Sequence, residues 1–218
     1  MRSKLQRFKE NFERENVIEP GKEIYENIKG NWRSDYFKND NALVAELGCG
    51  NGEYTVGLAQ KFKNKNFVGV DVKGTRIWRG SKDAIDNQLN NTAFLRTQIL
   101  QLENFFEPGE ISEIWITFPD PRPRKRDIKR RLTSPRFLKI YRNLIEKEGL
   151  VHLKTDNTGL FDYTLEVLNH DIDIKNLKYT HDLYSTNLLE DHHGIQTRYE
   201  KMFMAEGLKI KYLRFQFA

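Results

Sequence analysis

Apolar residues in this chain gather into short continuous runs, and stretches with helical spacing separate them. Residues 42–47 (Ala-Leu-Val-Ala-Glu-Leu) are almost wholly apolar and run into glycines, which predicts a buried parallel strand. Residues 53–62 place apolar side chains at helical spacing. Residues 66–70 read as a second strand ending at Asp71, 75–89 as a helix, and 93–96 as a short strand. Residues 111–118 give a fourth strand, 134–147 a helix ending before Gly149, and 150–155 a fifth strand leading to Asp156. A helix to about 169, a strand near 172–180 and an alternating strand over 208–217 follow. Residues 1–40 are polar and mixed in charge, an N-terminal arm with short helical pieces. Alternation of this kind predicts a single α/β domain over 41–218, with a mostly parallel seven-stranded sheet and helices on both faces.

Composition narrows the class. The 218 residues are 38% hydrophobic and 31% charged, which suits one globular domain with a wet surface. No run approaches the ~18 apolar residues of a membrane helix, and no apolar stretch follows the basic N-terminus as a secretory signal would require. Cys49 is the single cysteine, so no disulfide framework exists and a cytoplasmic protein is expected. The histidines, at 152, 170, 181, 192 and 193, have no cysteine pair near them, and no metal is expected.

Charge is focused. Residues 122–131 hold seven cations (Arg122, Arg124, Lys125, Arg126, Lys129, Arg130, Arg131) and one acid, Asp127, a local charge of +6. Against a total of +5, the rest of the chain sums to −1. A patch this dense fits a polyanion such as RNA better than a diffusely basic surface would.

Ligands of open α/β sheets bind at the carboxyl ends of the strands. The predicted strands end at Glu46 and its glycines, Asp71, Gln98, Asp120 and Asp156. Four carboxylates converging on one rim repel one another, and a cationic ligand relieves that. The glycine loop has the spacing Gly48-x-Gly50-x-Gly52 rather than the Gly-x-Gly-x-x-Gly of dinucleotide folds. Glu46 ahead of it and Glu53 behind it disfavour a pyrophosphate. S-adenosylmethionine (SAM) has no phosphate and carries a sulfonium and an ammonium, so this acidic, glycine-lined crevice suits it. The expected fold is therefore a Rossmann-like class I SAM-dependent methyltransferase, with Asp71 accepting hydrogen bonds from the ribose hydroxyls. Cys49, inside the glycine loop, reads as a small packed residue rather than a nucleophile.

Phe118-Pro119-Asp120-Pro121 resembles the Asp-Pro-Pro-aromatic motif of enzymes that methylate exocyclic amino groups of bases, but Arg122 fills the aromatic position. A fuller resemblance combines Glu46-x-Gly-x-Gly-x-Gly, Phe118-Pro119-Asp120-Pro121 with Lys129-Arg130-Arg131-Leu132, Lys154-Thr155-Asp156 and Thr197-x-x-Glu200, in that order. Together these resemble the tRNA (guanine-N7-)-methyltransferase family over residues 40–217. The resemblance implies SAM-dependent methylation of guanine N7 at position 46, in the variable loop of tRNA. It implies that Glu46, Asp71, Gln98 and Asp120 bind SAM, and that Arg124, Asp156 and Thr197, Arg198, Tyr199 and Glu200 hold substrate. The family more often has Trp, Lys, His, and Asn or Asp where this chain has Arg122, Arg124, Asp127 and Gln98.

Guanine N7 carries a lone pair and no proton, so no general base is needed. Catalysis then reduces to alignment, with carboxylates answering the positive charge that moves onto the ring. Asp120 is the first candidate for that carboxylate and Asp156 the second. Guanine's N1–H and N2–H₂ are donors, which Glu200 or Asp156 could read. Thr197-x-x-Glu200 is also a capping box opening a helix that ends at Gly207. Outside enzymology, a SAM- or RNA-binding module without turnover is the alternative, although a degenerate rim would be expected to have lost one of its acids. No obligate protein partner is implied.

Overall fold

The computed structural model describes residues 2–170 and 172–218; the first residue of the 1–40 arm lies outside the described residues. Among the described residues eight strands form one sheet: β1 (Val17–Ile18), β2 (Ala42–Leu47), β3 (Lys65–Asp71), β4 (Thr92–Arg96), β5 (Ile111–Thr117), β6 (Ile145–Thr155), β7 (Ile174–Thr180) and β8 (Lys211–Phe217). Their order across the sheet is β1-β4-β3-β2-β5-β6-β8-β7. The strands are parallel except where β8 inserts antiparallel between β6 and β7. The helices are α1 (Lys4–Glu13), α2 (Glu23–Asn27), α3 (Glu53–Lys61), α4 (Gly74–Asp86), α5 (Pro135–Leu144), α6 (Thr158–His170) and α7 (Arg198–Ala205). Among the described residues no helix is long and apolar enough to cross a membrane.

Strand alternation divides the core in two. In β2, Leu43, Ala45 and Leu47 face one cluster with Phe137, Leu138 and Tyr141 of α5 and Phe161 of α6. Val44 faces the other, with Tyr54 and Leu58 of α3 and Ile77 and Ala84 of α4. Helix α4 buries Ile77, Gly80, Ser81 and Ala84, one face at helical spacing. Helix α5 starts after Ser134 with Pro135 in its first turn, where a missing N–H costs nothing.

The sheet has eight strands rather than seven because of the arm. Val17–Ile18, too short to register as a hydrophobic run, pairs in parallel with Phe94 and Leu95 and closes that edge. Trp32 of the arm is fully buried; its indole N–H donates to Phe105 O (2.7 Å) and its ring stacks on Phe106. The other departure is β6, expected over 150–155, which runs from Ile145. Helix α5 ends at Leu144 because Ile145 turns extended, is buried, and pairs with Ile111. Gly149 does not end a helix. It sits inside the strand, where a Cβ would lie 2.8 Å from Ser112 O and 2.5 Å from the Ile145 side chain.

The order of strands reverses between β2 and β5, and the crevice outside their carboxyl ends is where a ligand of this topology binds.

Candidate functional site

A cleft of about 680 Å³ opens at that switch point, within the range of small-molecule and cofactor sites. Its floor is the loop between β2 and α3. Gly48, Gly50 and Gly52 all have positive φ (78°, 56° and 72°), which other residues resist. They serve different ends. A Cβ on Gly52 would lie 2.5 Å from the Phe94 ring, so that glycine exists for packing. A Cβ on Gly50 would meet nothing within 4 Å, so that glycine leaves room in the cleft. Cys49 between them is buried, and burial pushes its thiol well above the ordinary range. It is a packed, unreactive residue.

Two acids are organised by this loop. Asp71, ending β3, accepts Gly50 N–H (3.0 Å) on one oxygen and Lys73 N–H (2.8 Å) on the other. Each oxygen keeps a second lone pair for a ligand. Glu46, ending β2, accepts Thr55 N–H (2.8 Å) and the Thr55 hydroxyl on one oxygen and the Thr117 hydroxyl (2.6 Å) on the other. It is 3% exposed, and burial raises its pKa to about 7 against those hydrogen bonds and the Lys154 charge.

The opposite wall is the segment after β5. Phe118 and Arg122 hold φ values of 48° and 46° and bracket Pro119-Asp120-Pro121. Left-handed backbone at two bulky residues is strain of the kind that clusters at ligand sites. Asp120 is exposed and already engaged by its neighbour, accepting Arg122 N–H (3.1 Å) and pairing with the guanidinium (3.2 Å). Asp156, after β6, is half-buried on the cleft wall. Burial raises its pKa. Gln98 stands exposed at the rim. The strand-end residues expected from the sequence, Glu46, Asp71, Gln98, Asp120 and Asp156, thus line one cleft.

Beside it lies a second hollow of about 590 Å³, lined by Arg122, Arg124, Arg126, Asp127, Lys129 and Arg130. Arg122 and Arg130 border both spaces. Lys125 is exposed alongside. Arg131 departs from the expected patch. Its guanidinium turns inward to Pro121 O (3.1 Å) and over the Tyr163 ring (4.4 Å), anchoring the loop.

Thr197 caps α7, its hydroxyl accepting Glu200 N–H (3.2 Å). Arg198 and Tyr199 are exposed on the cleft wall, and Arg198 N–H donates to Glu53 (2.6 Å), joining the start of α7 to the start of α3. Glu200, which the sequence offers for guanine's donor edge, is not on that wall. It is fully buried against Lys154 (2.7 Å), and Lys154 too is fully buried. Several cleft residues escape sequence reasoning. Lys73 and Arg76 open α4 beside Asp71, and Phe203 lies one helical turn after Tyr199. Both signals are present in the sequence, as cations following a strand-end acid and as an i, i+4 aromatic pair. Thr117 has no such signal, since its role depends on facing Glu46 across the sheet. Among the described residues no group of three histidine, cysteine or carboxylate side chains is disposed to hold a metal.

A family model described as "Putative methyltransferase" matches residues 40–213. A tRNA (guanine-N(7)-)-methyltransferase of Cytophaga hutchinsonii is 53% identical over 217 residues, covering 99% of this chain and 98% of that protein. One from Christiangramia forsetii is 47% identical, covering 99% and 98%. A solved 16S rRNA methyltransferase, KamB, superposes with a TM-score of 0.62 at 15% identity, covering 87% of this chain and 92% of its own; at that identity it speaks to the fold alone.

Proposed function

This chain belongs to the tRNA (guanine-N(7)-)-methyltransferase family, and on that premise we propose that it transfers a methyl group from SAM to N7 of a guanine in the variable loop of tRNA. The observation that carries the reading is the adjacency of the two hollows. An acidic, glycine-floored cleft that suits a cationic cofactor shares Arg122 and Arg130 with a basic hollow that suits phosphate. An RNA held on the cations therefore presents its bases to the cleft. A tRNA substrate supports a cytoplasmic location.

The residues present fit SAM. Space over Gly50 admits close approach, the free lone pairs of Asp71 suit ribose hydroxyls, and Glu46 lines the cleft, held there by Thr55 and Thr117. Gln98 and Asp120 complete that wall. Bound there, SAM supplies an electrophilic methyl group on a sulfonium.

On the substrate side, Arg124, Arg126 and Lys129 hold backbone phosphates, and Arg belongs there because its planar fork matches two phosphate oxygens. Thr197, Arg198 and Tyr199 border the base. Because N7 needs no deprotonation, the protein's work is to align it and to exclude water. Asp120 and Asp156 face the ring as positive charge moves onto it, and a half-buried carboxylate answers such charge more strongly than one in water.

The test is methyl transfer from labelled SAM to an unmodified tRNA transcript, with the product mapped by chain cleavage at 7-methylguanine. Cleavage at one variable-loop guanine is the expected result. Label on an exocyclic amino group, or none, would reject the reading.

A further inference from the structure

Beneath the cleft lies an ion pair whose two side chains have 0% exposure. Lys154 Nζ donates to Glu200 Oε2 (2.7 Å) and to Ile195 O (3.4 Å), and sits 4.6 Å from the Tyr54 ring centroid and 5.7 Å from that of Phe118. The charge of Glu46 acts on it as well. Glu200 Oε1 accepts the Tyr184 hydroxyl (2.9 Å) and lies 2.8 Å from His192 Nε2, and Gln196 donates to the same tyrosine oxygen (2.8 Å). The Glu200 carboxylate has three partners and no path to solvent.

We propose that Lys154 and Glu200 are positioning residues, a buried strut that fixes the Thr197–Tyr199 rim and the Phe118 wall relative to the glycine loop, and that Glu200 serves the base without touching it. The inference rests on the reading of this cleft as the guanine-accepting site.

Three observations carry it. First, residues 181–197 contain only the short turns Leu183–Ser185 and Asn187–His192, so the segment leading into α7 has little regular backbone to hold it. Glu200 and the partners it gathers from that segment, Tyr184 and His192, tie it to β6. Second, in a full capping box the carboxylate at the third helical position turns back to the cap's own N–H. Here Thr197 supplies its half, while Glu200 points inward to Lys154. Third, Lys154 links the two parts, since its backbone carbonyl accepts the N–H of left-handed Phe118 (2.8 Å) while its ammonium donates to Ile195 O and Glu200 on the side of the rim. A buried ion pair is weak as a source of stability, because apolar residues of similar volume commonly serve as well. What it supplies is one fixed direction for each partner.

The test is a double-mutant cycle of Lys154→Met and Glu200→Gln in the full chain. It measures kcat and KM for a tRNA transcript, the Kd of S-adenosylhomocysteine, and amide hydrogen exchange over residues 195–201. Each single variant should raise the KM for tRNA by about tenfold or more, with the double variant no worse than the poorer single. The Kd of S-adenosylhomocysteine should stay within about threefold, and exchange over 195–201 should quicken by about tenfold. A role in folding alone would lower the active fraction, and so kcat, leaving KM and the rim's exchange unchanged. Additive losses would overturn the strut, as would a Glu200→Gln defect with wild-type exchange; either would mean that Glu200 contacts RNA directly. If the single variants do not fold, Lys154→Met/Glu200→Leu carries the test. Wild-type KM and exchange in that pair would overturn the proposal, and a raised KM with faster exchange would support it. Exchange and S-adenosylhomocysteine binding need no RNA, so a wild-type protein inactive on tRNA would sink the guanine reading without deciding the strut.

Discussion

The two walls of the cleft are built by opposite means. The cofactor wall is local and backbone-made, with three glycines, two strand-end acids and their amide donors lying within residues 46–73. The substrate wall is assembled at long range. It joins a loop bracketed by strained Phe118 and Arg122 to the first turn of α7, and holds them with a buried ion pair and the Glu53–Arg198 bond. A wall of the first kind is set once its strand and helix form. A wall of the second kind depends on distant residues agreeing, so its variants should lose turnover or RNA binding before they lose cofactor.

The largest expected effect separates the walls at the chemistry. Asp156→Asn should lower kcat by about 10²-fold, with Asp120→Asn similar or somewhat smaller because Asp120 is more exposed. The Kd of S-adenosylhomocysteine should move little in Asp156→Asn, and modestly in Asp120→Asn, where the residue also lines the cofactor wall. Single-turnover kinetics read this directly, and near-normal turnover in both variants would remove carboxylates from the mechanism.

Next, the glycines distinguish packing from space on the cofactor wall. Gly52→Ala places a methyl 2.5 Å from Phe94 at a φ of 72°, and should cost about 2–3 kcal/mol of stability. Gly50→Ala meets open space and should cost about 1 kcal/mol, while its methyl projects into the cleft and weakens cofactor binding. Denaturant unfolding and S-adenosylhomocysteine titration should therefore rank the two in opposite orders. The same rank in both assays would contradict the division of labour among these glycines.

The same contrast explains what was legible in the sequence. The central strands, the glycine loop and the acids at strand ends can be read because each is a short contiguous pattern whose neighbours decide its fate. Val17–Ile18 cannot, because two apolar residues in a polar arm become a strand only when β4 offers an edge. The early turn into β6 is hidden because Ile145 suits either a helix end or a strand, and only Ile111 across the sheet decides. Glu200 misleads for a related reason. Its spacing from Thr197 announces a cap, and the resemblance announces a substrate contact, yet its side chain is claimed by a lysine 46 residues away. Arg131 likewise belongs by composition to the basic patch but by contact to the loop's interior.

A smaller effect concerns pH. Burial lifts Glu46 from 4.5 to about 7, so the native state prefers it protonated. For an acid with a raised native pKa, the associated stability is present below 4.5 and is lost as pH rises through 7, a change of up to about 3 kcal/mol. A cation in the cleft favours the ionised form and reverses that preference. The affinity for SAM should therefore rise by about tenfold between pH 6 and 8. Glu46→Gln should flatten both the melting profile of the cofactor-free protein and the pH dependence of binding. An unchanged slope in Glu46→Gln would show that another group titrates.

The smallest effect tests the substrate wall by its charge. Arg124, Arg126 and Lys129 line the basic hollow, whereas Arg131 is turned inward. Each exposed cation that meets a phosphate should, when replaced by Gln, weaken tRNA binding a few-fold and reduce the slope of log Kd against log salt by about 0.7–0.9. Arg131→Gln should behave differently. It loses its bonds to the Pro121 and Arg122 carbonyls and its place over Tyr163, so it should lower thermal stability and leave the salt slope almost unchanged. Titrations at several salt concentrations, read beside melting curves, would separate the two groups. A full slope change in Arg131→Gln with normal stability would return that residue to the RNA-facing surface, and the inward anchor of the loop would have to be sought elsewhere.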